Sequence, residues 1–354
     1  MAPRAGGVTA RRLLGAVLTV GLVVAIFAFL VPQLTTASLS EVMAELTPAA
    51  VVAVLVVGLV HLVCNWTSIV VSLPGVTLPE AGVANLSGAA LSNTLPEGGA
   101  FGTGLTYGIF HSWGFGVDAV TASLMATGAW SQMVRYSLLA GGLVVLAVEG
   151  WSGQQLVEAL VIGAVVALGI LAFLKVVDSE RFATRVGHLA DRVLGRLAAL
   201  VHKGPTHATR WVLSLRSQLS GVAHDRGGRL TLTTLAGEGS AVVVLIVALR
   251  SMGIERSEVG IALAVVAYGG ASLASMVVPT PGGMGVAEAA LLGILGTAVP
   301  EAQDAQLTAA VVLYRMATWL LPTVLGVPAY LWWRYRRSWR APVDDGAARG
   351  TARP

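Results

Sequence analysis

Charged side chains are scarce in this sequence. Only 12% of the residues are Asp, Glu, Lys or Arg, about half the share found in an average soluble domain. Hydrophobic residues make up 55%, and the mean hydropathy is +0.76. This balance excludes a soluble globular protein. The apolar runs are continuous, which also excludes a membrane β-barrel, because barrel strands alternate polar and apolar residues.

Cysteine is nearly absent as well, since the chain has only Cys64. A single cysteine excludes an internal disulfide and a metal-binding cysteine pair, and we interpret Cys64 as a small apolar residue of a buried helix. The formal net charge of +4 is too small to indicate nucleic acid, and no nucleic-acid or phosphate-loop motif is present. The sequence therefore predicts no cofactor and no nucleic-acid partner.

Several apolar runs are long enough to cross a membrane, which takes a helix of about 20 residues. The first, residues 13–31, is longer than the apolar core of a signal peptide, about 7–15 residues, which favours an uncleaved span. The loops at 32–48 and 149–158 contain acidic residues and no Lys or Arg, as expected outside the cell. Further spans are predicted at 49–73, 119–148, 156–173, 230–249, 259–278 and 307–332.

Residues 175–229 form the one substantial polar region. They are rich in Lys and Arg and are therefore expected in the cytoplasm. Apolar residues at helical spacing beside arginines predict a basic amphipathic helix on the anionic inner leaflet. A partner-binding or regulatory role is the alternative. The apolar positions are Phe182, Val186, Leu189, Val193, Leu197 and Leu200.

The end of the last span mixes Trp and Arg, which is typical of a cytoplasmic membrane interface. Both termini are therefore predicted inside. The chain is predicted to be an all-α, polytopic protein of the cytoplasmic (inner) membrane, with about eight membrane segments. Its predicted parts are an N-terminal membrane half, a basic cytoplasmic loop, a C-terminal membrane half and a disordered cytoplasmic tail, at 1–174, 175–229, 230–340 and 341–354.

Two regions of the chain are interrupted by proline and glycine. The clearer interruption reads Pro279-Thr280-Pro281-Gly282-Gly283-Met284-Gly285-Val286-Ala287-Glu288. Proline removes a backbone donor and glycine favours turns, and unsatisfied backbone groups are costly in hydrocarbon. Such a break is therefore expected to line a cavity or a protein interior. Residues 83–116 are interrupted at 96–102 and are predicted to form two short helical pieces, as a re-entrant hairpin.

The two interruptions resemble each other, and a span with a single arginine follows each of them. Leu95-Pro96-Glu97-Gly98-Gly99 corresponds to Pro279-Thr280-Pro281-Gly282-Gly283, and Val134-Arg135-Tyr136 to Tyr314-Arg315-Met316. Paired interruptions at matching places in two halves point to the substrate site of a transporter. The match is short, so a chance likeness is the alternative. The sequence leaves open whether the repeat is inverted or parallel.

Ionisable residues inside membrane segments usually face a protein interior or an aqueous cavity. We expect Arg135 and Arg315 to bind an anionic head group, a phosphate above all, through forked hydrogen bonds. Glu97 and Glu288 would balance these charges, bind an amine or carry a proton. The alternative is that Arg–Glu pairs only hold the helices together. The predicted site also includes Pro281, Gly282, Gly283 and Gly285, and weaker candidates are Glu238, His61 and His111.

The interruption that ends at Glu288 resembles the signature of the lysylphosphatidylglycerol synthase transmembrane-region family of flippase-like membrane proteins. The family's first-half element is similar to Asn93-Thr94-Leu95-Pro96-Glu97-Gly98-Gly99. Its last span is similar to Tyr314-Arg315 with Leu321-Pro322 and Gly326. The resemblance covers residues from about 12 to 335. It implies a membrane domain that is associated with moving aminoacylated phosphatidylglycerol or other lipids between leaflets.

This sequence also departs from the family pattern. No soluble aminoacyl-transfer domain follows the last span, so we do not expect this chain to synthesise lysyl-lipid. The first-half element has Glu97 and a shifted glycine pattern, which weakens its correspondence with the family element.

The leading hypothesis is a flippase-like protein that moves an anionic or aminoacylated lipid between leaflets. Its expected partners are membrane lipids and the anionic inner-leaflet surface. One alternative is a membrane-embedded transferase, but the sequence has no intramembrane serine-protease element, no His-Glu-x-x-His motif and no acidic magnesium cluster, so no enzyme is predicted. The other alternative is a non-transporting scaffold or accessory subunit of lipid or glycan synthesis, with residues 175–229 as its partner surface.

Overall fold

The computed structural model describes residues 43–95, 98–148, 150, 154–200, 208–277 and 281–336. Within these ranges the chain is largely helical and has no strand, which confirms the all-α class. The helices are α1 (Pro48–Ser72), α2 (Leu78–Thr94), α3 (Gly98–Ser112), α4 (Val117–Val148), α5 (Gln154–Asp178), α6 (Glu180–Leu200), α7 (Ala208–Ser251), α8 (Ile261–Val277), α9 (Val286–Leu295), α10 (Asp304–Arg315) and α11 (Leu321–Tyr335). The predicted span at 13–31, Glu97 and the tail from 341 lie outside the described residues.

Five of the described helical segments are long and apolar enough to cross a membrane. They are Pro48–Ser72, Val117–Val148, Leu160–Asp178, Ala208–Ser251 and Glu301–Tyr335. The last of them starts with a 3₁₀ turn, and a π-helical turn over Met316–Leu320 joins α10 to α11. These segments confirm a multi-pass membrane protein.

The basic region folds as two packed helices. Asp191 of α6 accepts hydrogen bonds from the first amides of α7, Ala208 N at 2.7 Å and Thr209 N at 3.1 Å. From there α7 runs without a break to Ser251, because no proline interrupts it and a helix tolerates glycine at a cost of about 1 kcal/mol. The predicted boundary at 229/230 therefore falls inside one helix, which continues from the polar region into the membrane.

The predicted amphipathic helix is present as α6, but part of its apolar side packs on protein. Phe182 and Val186 lie against a buried cluster that includes Val212 of α7. Further along the helix, Leu189 is 57% exposed. Contact of this helix with the inner leaflet stays a prediction.

The interruption in the first half joins two short helices that form a tight hairpin, as predicted. α2 and α3 meet where each has a glycine, and a Cβ atom added at Gly102 would collide with the carbonyl of Gly88 and with Oγ of Ser92. Close to this contact, Thr106 Oγ1 donates to the carbonyl of Ala84 at 3.3 Å. Small residues allow such close approach between helices in lipid.

Replacing Gly102 by valine is expected to lower the melting temperature of the detergent-solubilised protein, because α3 would have to move away from α2. Overpacking of this kind costs about 1–3 kcal/mol. The matched control is Gly104→Val on the same helix, where an added Cβ atom has no neighbour within 4 Å. Equal melting temperatures for the two variants would contradict the close contact between α2 and α3.

The interruption in the second half also produces a hairpin. α8 and α9 have 17 and 10 residues, so at 1.5 Å per residue they are about 25 and about 15 Å long. Each is shorter than the roughly 30 Å of a hydrocarbon core. Leu291 and Leu295 of α9 are buried in the same apolar core as Ala264 and Ala267 of α8. The span predicted at 259–278 is thus one arm of a hairpin, because the Pro/Gly break turns the chain back.

Hydrogen bonds between helices show their relative directions. His61 of α1 lies 2.9 Å from Ser240 of α7. Further along α1, Ser68 lies 3.5 Å from Thr234 of α7. The residue numbers rise along α1 while they fall along α7. The helix that precedes the first hairpin is therefore antiparallel to the helix that precedes the second.

The two hairpins enter the membrane region from opposite faces. At one end of the last span, Trp333 Nε1 donates to Oγ of Ser112, where the first hairpin ends (3.1 Å). At the other end, Gln303 Nε2 donates to Glu258, just before the second hairpin begins (2.6 Å). Together with the antiparallel α1 and α7, this makes the internal repeat an inverted one, which the sequence had left open.

Candidate functional site

The second break depends on glycines with a backbone conformation that other residues rarely adopt. Gly282, Gly283 and Gly285 have φ values of 58°, 70° and 81°, in the left-handed region. A Cβ atom on Gly282 would also collide with the indole of Trp319. Pro281 starts the 3₁₀ turn that contains the first two glycines. The predicted backbone part of the site is thus a sharp turn packed against the last span.

Glu288 ties the start of α9 to the break. It occupies the third position of that helix, and its Oε2 accepts a hydrogen bond from the amide of Gly285 at 2.8 Å, as in a capping box. Its other oxygen, Oε1, accepts from Arg315 Nε at 2.5 Å. Glu288 is 4% exposed. The carboxylate therefore serves a helix cap and an ion pair at the same time.

Arg315 connects the two sides of the break. Its Nε donates to Glu288, which follows the break in the chain. Its Nη2 donates to the carbonyl of Gly282, which lies in the first part of the break, at 2.8 Å. The guanidinium carbon lies 5.9 Å from the centre of the Trp319 ring, within the range of a cation–π contact. The structure thus brings together Arg315, Glu288 and the glycines, as predicted, in an arrangement that fixes the turn.

The π-helical turn after Arg315 brings the two hairpins together. Pro322 has no amide hydrogen, and in a regular α-helix its ring would clash with the carbonyl of the residue four positions earlier. The helix therefore widens into a π-helical turn here. The carbonyl of Trp319 accepts bonds from Thr323 Oγ1 at 2.6 Å and from Asn93 Nδ2 at 3.3 Å. Asn93 ends the first arm of the first hairpin, so the inner ends of both hairpins meet at this turn. π-helical turns are frequent at functional sites.

A second arginine–glutamate pair lies between α4 and α7. Arg135 binds Glu238 with two bonds, Nε to Oε2 at 2.9 Å and Nη2 to Oε1 at 3.0 Å. Tyr268 of α8 donates its hydroxyl to the same carboxylate, and its ring centre is 5.7 Å from the guanidinium carbon. The predicted balancing acid, Glu97, lies outside the described residues.

The partner of Arg135 is Glu238, which the sequence analysis gave only as a weaker candidate. Glu238 is the one acidic residue in the apolar run 230–249, and that was the available signal. Its contact with Arg135 joins residues 103 positions apart. Asn93 was named only as part of the element that resembles the family's first-half motif. Tyr268 had no signal as a polar partner, because a sequence does not show which helices face each other.

The histidines differ in position. His61 of α1 contacts α7 next to Glu238. Its Nδ1 lies 3.1 Å from the carbonyl of Gly237 and 2.9 Å from Ser240 Oγ. It thus pairs with backbone and hydroxyl groups, in line with a structural histidine. His111 ends α3 and is exposed, with its ring stacked on Tyr107 at 6.4 Å. It is not part of either pair.

The two arginine–glutamate pairs differ in accessibility. The side chain of Arg315 is 10% exposed and that of Glu288 6%, so protein covers most of this pair. The side chain of Arg135 is 25% exposed, while that of Glu238 is 4% exposed. Arg135 is thus the less enclosed of the two arginines. The roles of both arginines as ligands of a head group stay predictions.

The whole arrangement lies within one recognised stretch of sequence. The family model of the lysylphosphatidylglycerol synthase TM region matches residues 12–326. The chain belongs to this family. The match of the lysylphosphatidylglycerol synthase TM-region family includes both hairpins and both arginine–glutamate pairs, and it ends within α11. No curated protein is significantly similar to this family member.

Proposed function

We propose that the protein binds the phosphate of an anionic or aminoacylated phospholipid between its two hairpins and transfers the lipid between the leaflets of the cytoplasmic membrane. The observation that carries this proposal is Arg135, a cation in the middle of a membrane-spanning helix that keeps 25% of its side chain exposed. Charged side chains at membrane depth are costly, and they usually serve substrates, ions or protons.

The geometry of the Arg135 pair suits a phosphate. Glu238 engages Arg135 through two parallel bonds, and phosphate oxygens can occupy the same fork. A phosphate that replaced the carboxylate would leave Glu238 free to bind a cation. In an aminoacylated lipid, the ammonium group of the same head group supplies that cation. The pair can therefore exchange one neutral arrangement for another without leaving a buried charge alone.

The opposed hairpins provide the route. One hairpin reaches the centre from each face, and their inner ends meet where Asn93 contacts the turn after Arg315. Broken helices of this kind bring backbone polar groups to the membrane centre at the interface of inverted repeats, where transporters bind their substrates. A head group can move from one hairpin to the other while its acyl chains stay in lipid.

The same proposal covers the protein's surroundings. The basic helices α6 and α7 would lie on the cytoplasmic side, near the anionic inner leaflet, with both termini on that side. Lipid transfer of this kind requires no covalent chemistry, so we propose a transporter and not an enzyme.

Reconstitution into liposomes tests the proposal. The liposomes carry a trace of head-group-labelled phosphatidylglycerol or lysyl-phosphatidylglycerol, and an impermeant quencher reports the fraction in the outer leaflet. We expect label from the inner leaflet to become accessible at least about tenfold faster than in protein-free liposomes, the equivalent of 1.4 kcal/mol in the barrier. Equal rates for both lipids with and without protein would overturn the proposal and favour a scaffold role.

A further inference from the structure

The contacts that hold the imidazole ring of His61 also define its protonation. Its Nδ1 lies against two acceptors, the carbonyl of Gly237 at 3.1 Å and Oγ of Ser240 at 2.9 Å. The hydroxyl of Ser240 donates its own hydrogen to the same Gly237 carbonyl at 2.6 Å, so Ser240 accepts from His61. Nδ1 is therefore the nitrogen that carries the hydrogen of the ring.

The second ring nitrogen, Nε2, keeps its lone pair. Among the described residues, the hydrogen-bonding group beside it is Nδ2 of Asn65, at 3.2 Å. That group is a donor, because it also binds the carbonyl of His61 at 3.1 Å. A donor beside Nε2 requires a nitrogen without a hydrogen, so the ring is neutral. His61 thus offers a basic nitrogen within a membrane-spanning helix, and one added proton would make it a cation.

The charges that act on His61 belong to the pair that we propose as the phosphate site. Glu238 of α7 and Arg135 of α4 both interact with it electrostatically, and Glu238 directly follows Gly237 in the chain. On α1 itself, Cys64 is the nearest titratable residue in sequence. The other titratable or charged groups on the helices around the site contact one of the two arginine–glutamate pairs or lie near helix ends; they are Tyr268, Tyr314, Arg315, Glu288, Glu80 and Arg334.

The binding of a phosphate would disturb the charge balance of this cluster. His61, Glu238 and Arg135 together have no net charge while the ring is neutral. A phosphate diester that replaced Glu238 on Arg135 would leave two anions beside one cation, and an uncompensated charge at membrane depth is costly. A head group with an amine brings a cation of its own, but a phosphate without an amine does not.

We infer that His61 is a proton-binding site that couples lipid binding to proton uptake. When the phosphate of a lipid without an amine replaces Glu238 on Arg135, Nε2 of His61 accepts one proton from water, and the charged ring balances Glu238. The proton leaves when the phosphate leaves and Glu238 returns to Arg135, so each lipid anion moves together with one proton. This inference rests on the proposed lipid transfer and adds its coupling ion.

Polar side chains of α1 provide a route for that proton. They recur at intervals of three and four residues, which places them on one side of the helix; they are His61, Asn65, Ser68 and Ser72. Ser68 Oγ lies 3.5 Å from Oγ1 of Thr234 on α7, and Ser72 Oγ lies 2.6 Å from Oγ of Ser123 on α4. This line of polar groups leads from His61 towards the polar half of α7, which we place on the cytoplasmic side.

The pH dependence of lipid binding tests the inference. Purified protein is titrated by calorimetry with short-chain phosphatidylglycerol, whose phosphate stays ionised at neutral pH. Because His61 is neutral in the free protein and charged in the complex, linkage requires the affinity to fall as the pH rises. From about pH 7 to about pH 8 we expect the Kd of the parent to rise about tenfold, and that of His61→Gln to stay constant. A parent Kd that is equal at both pH values overturns the inference.

The matched control is His111→Gln, which removes an exposed histidine of α3 and should keep the parental pH dependence. A His61→Gln protein that also keeps it would place the proton on another group, such as Glu238, and overturns the assignment to His61.

A second measurement needs no substitution at His61 and therefore holds even if that variant does not fold. Titration of the parent in buffers with different heats of ionisation counts the protons taken up, and about one per bound lipid is expected. Binding of phosphatidylglycerol without proton uptake overturns the coupling alone. A parent that binds no phosphatidylglycerol contradicts the proposed function itself, and the coupling with it.

Discussion

Lipid transfer in liposomes is expected to fall at least about tenfold, the equivalent of 1.4 kcal/mol in the barrier, when Arg135 and Glu238 are both replaced by glutamine. The double substitution keeps hydrogen-bonding groups of similar size at both positions and removes the two charges together. No buried charge is then left without a partner, which is the situation that makes single substitutions of buried pairs unfold proteins. The folded protein should therefore persist, while the forked cation that we propose as the phosphate ligand is gone.

Two further variants make this result interpretable. Arg135→Lys keeps the charge but loses the planar fork, and the two residues are not equivalent at a site with two parallel bonds. It is expected to transfer lipid at an intermediate rate. Arg229→Gln, which removes an exposed arginine of α7, should match the parent. A double variant that is stable and transfers lipid at the parental rate would show that the Arg135 pair only joins α4 to α7.

The second large effect is expected at Arg315 and Glu288, and it is an effect on stability. Either residue replaced by alanine leaves the other as an unpaired charge on a buried residue, at a cost of about 3–5 kcal/mol. Arg315→Ala also removes the donor to the Gly282 carbonyl, and Glu288→Ala removes the cap of α9. Thermal unfolding in detergent, followed by tryptophan fluorescence, measures the loss. Arg256→Ala, at an exposed loop position, is the control.

A double-mutant cycle separates bracing from ligand binding at this pair. The variant with both Arg315→Ala and Glu288→Ala should be more stable than the sum of the two single losses predicts, with a coupling of about 0.5–3 kcal/mol. That result would identify Arg315 as a brace of the break. If Arg315→Ala instead unfolds at the parental temperature and yet transfers no lipid, Arg315 contacts the head group itself.

The sequence was informative where local chemistry decides the structure. Prolines and glycines disfavour a continuous helix, so the break after α8 could be placed from residues alone. An arginine inside an apolar run has to find a partner, so both central arginines could also be named. These conclusions depend on a few neighbouring residues.

Features that depend on the direction and neighbours of whole helices were not accessible. Apolar runs look the same whichever way they cross, so the inverted relation of the halves needed contacts such as His61–Ser240. Glu97 was expected to help balance the two central arginines and lies outside the described residues, and the partner that Arg135 has within them, Glu238, lies on a helix far along the chain. The apolar side of α6 was expected in lipid, but Phe182 and Val186 lie against the cluster that includes Val212, since any apolar surface can satisfy a hydrophobic face.

The order in which the chain emerges during synthesis gives the second break an unusual dependence on later residues. The Gly282 carbonyl and the Glu288 carboxylate precede Arg315 by 33 and 27 positions. α9 is too short to span a bilayer by itself. When the hairpin leaves the ribosome, the hydrogen bonds that Arg315 donates to Gly282 and Glu288 cannot yet form. The hairpin must remain in contact with protein or water until α10, which ends at Arg315, has been synthesised and inserted. Insertion of the last span is therefore the step that locks the second hairpin, and a nascent chain stopped before that span would expose an acid and a bare carbonyl to lipid.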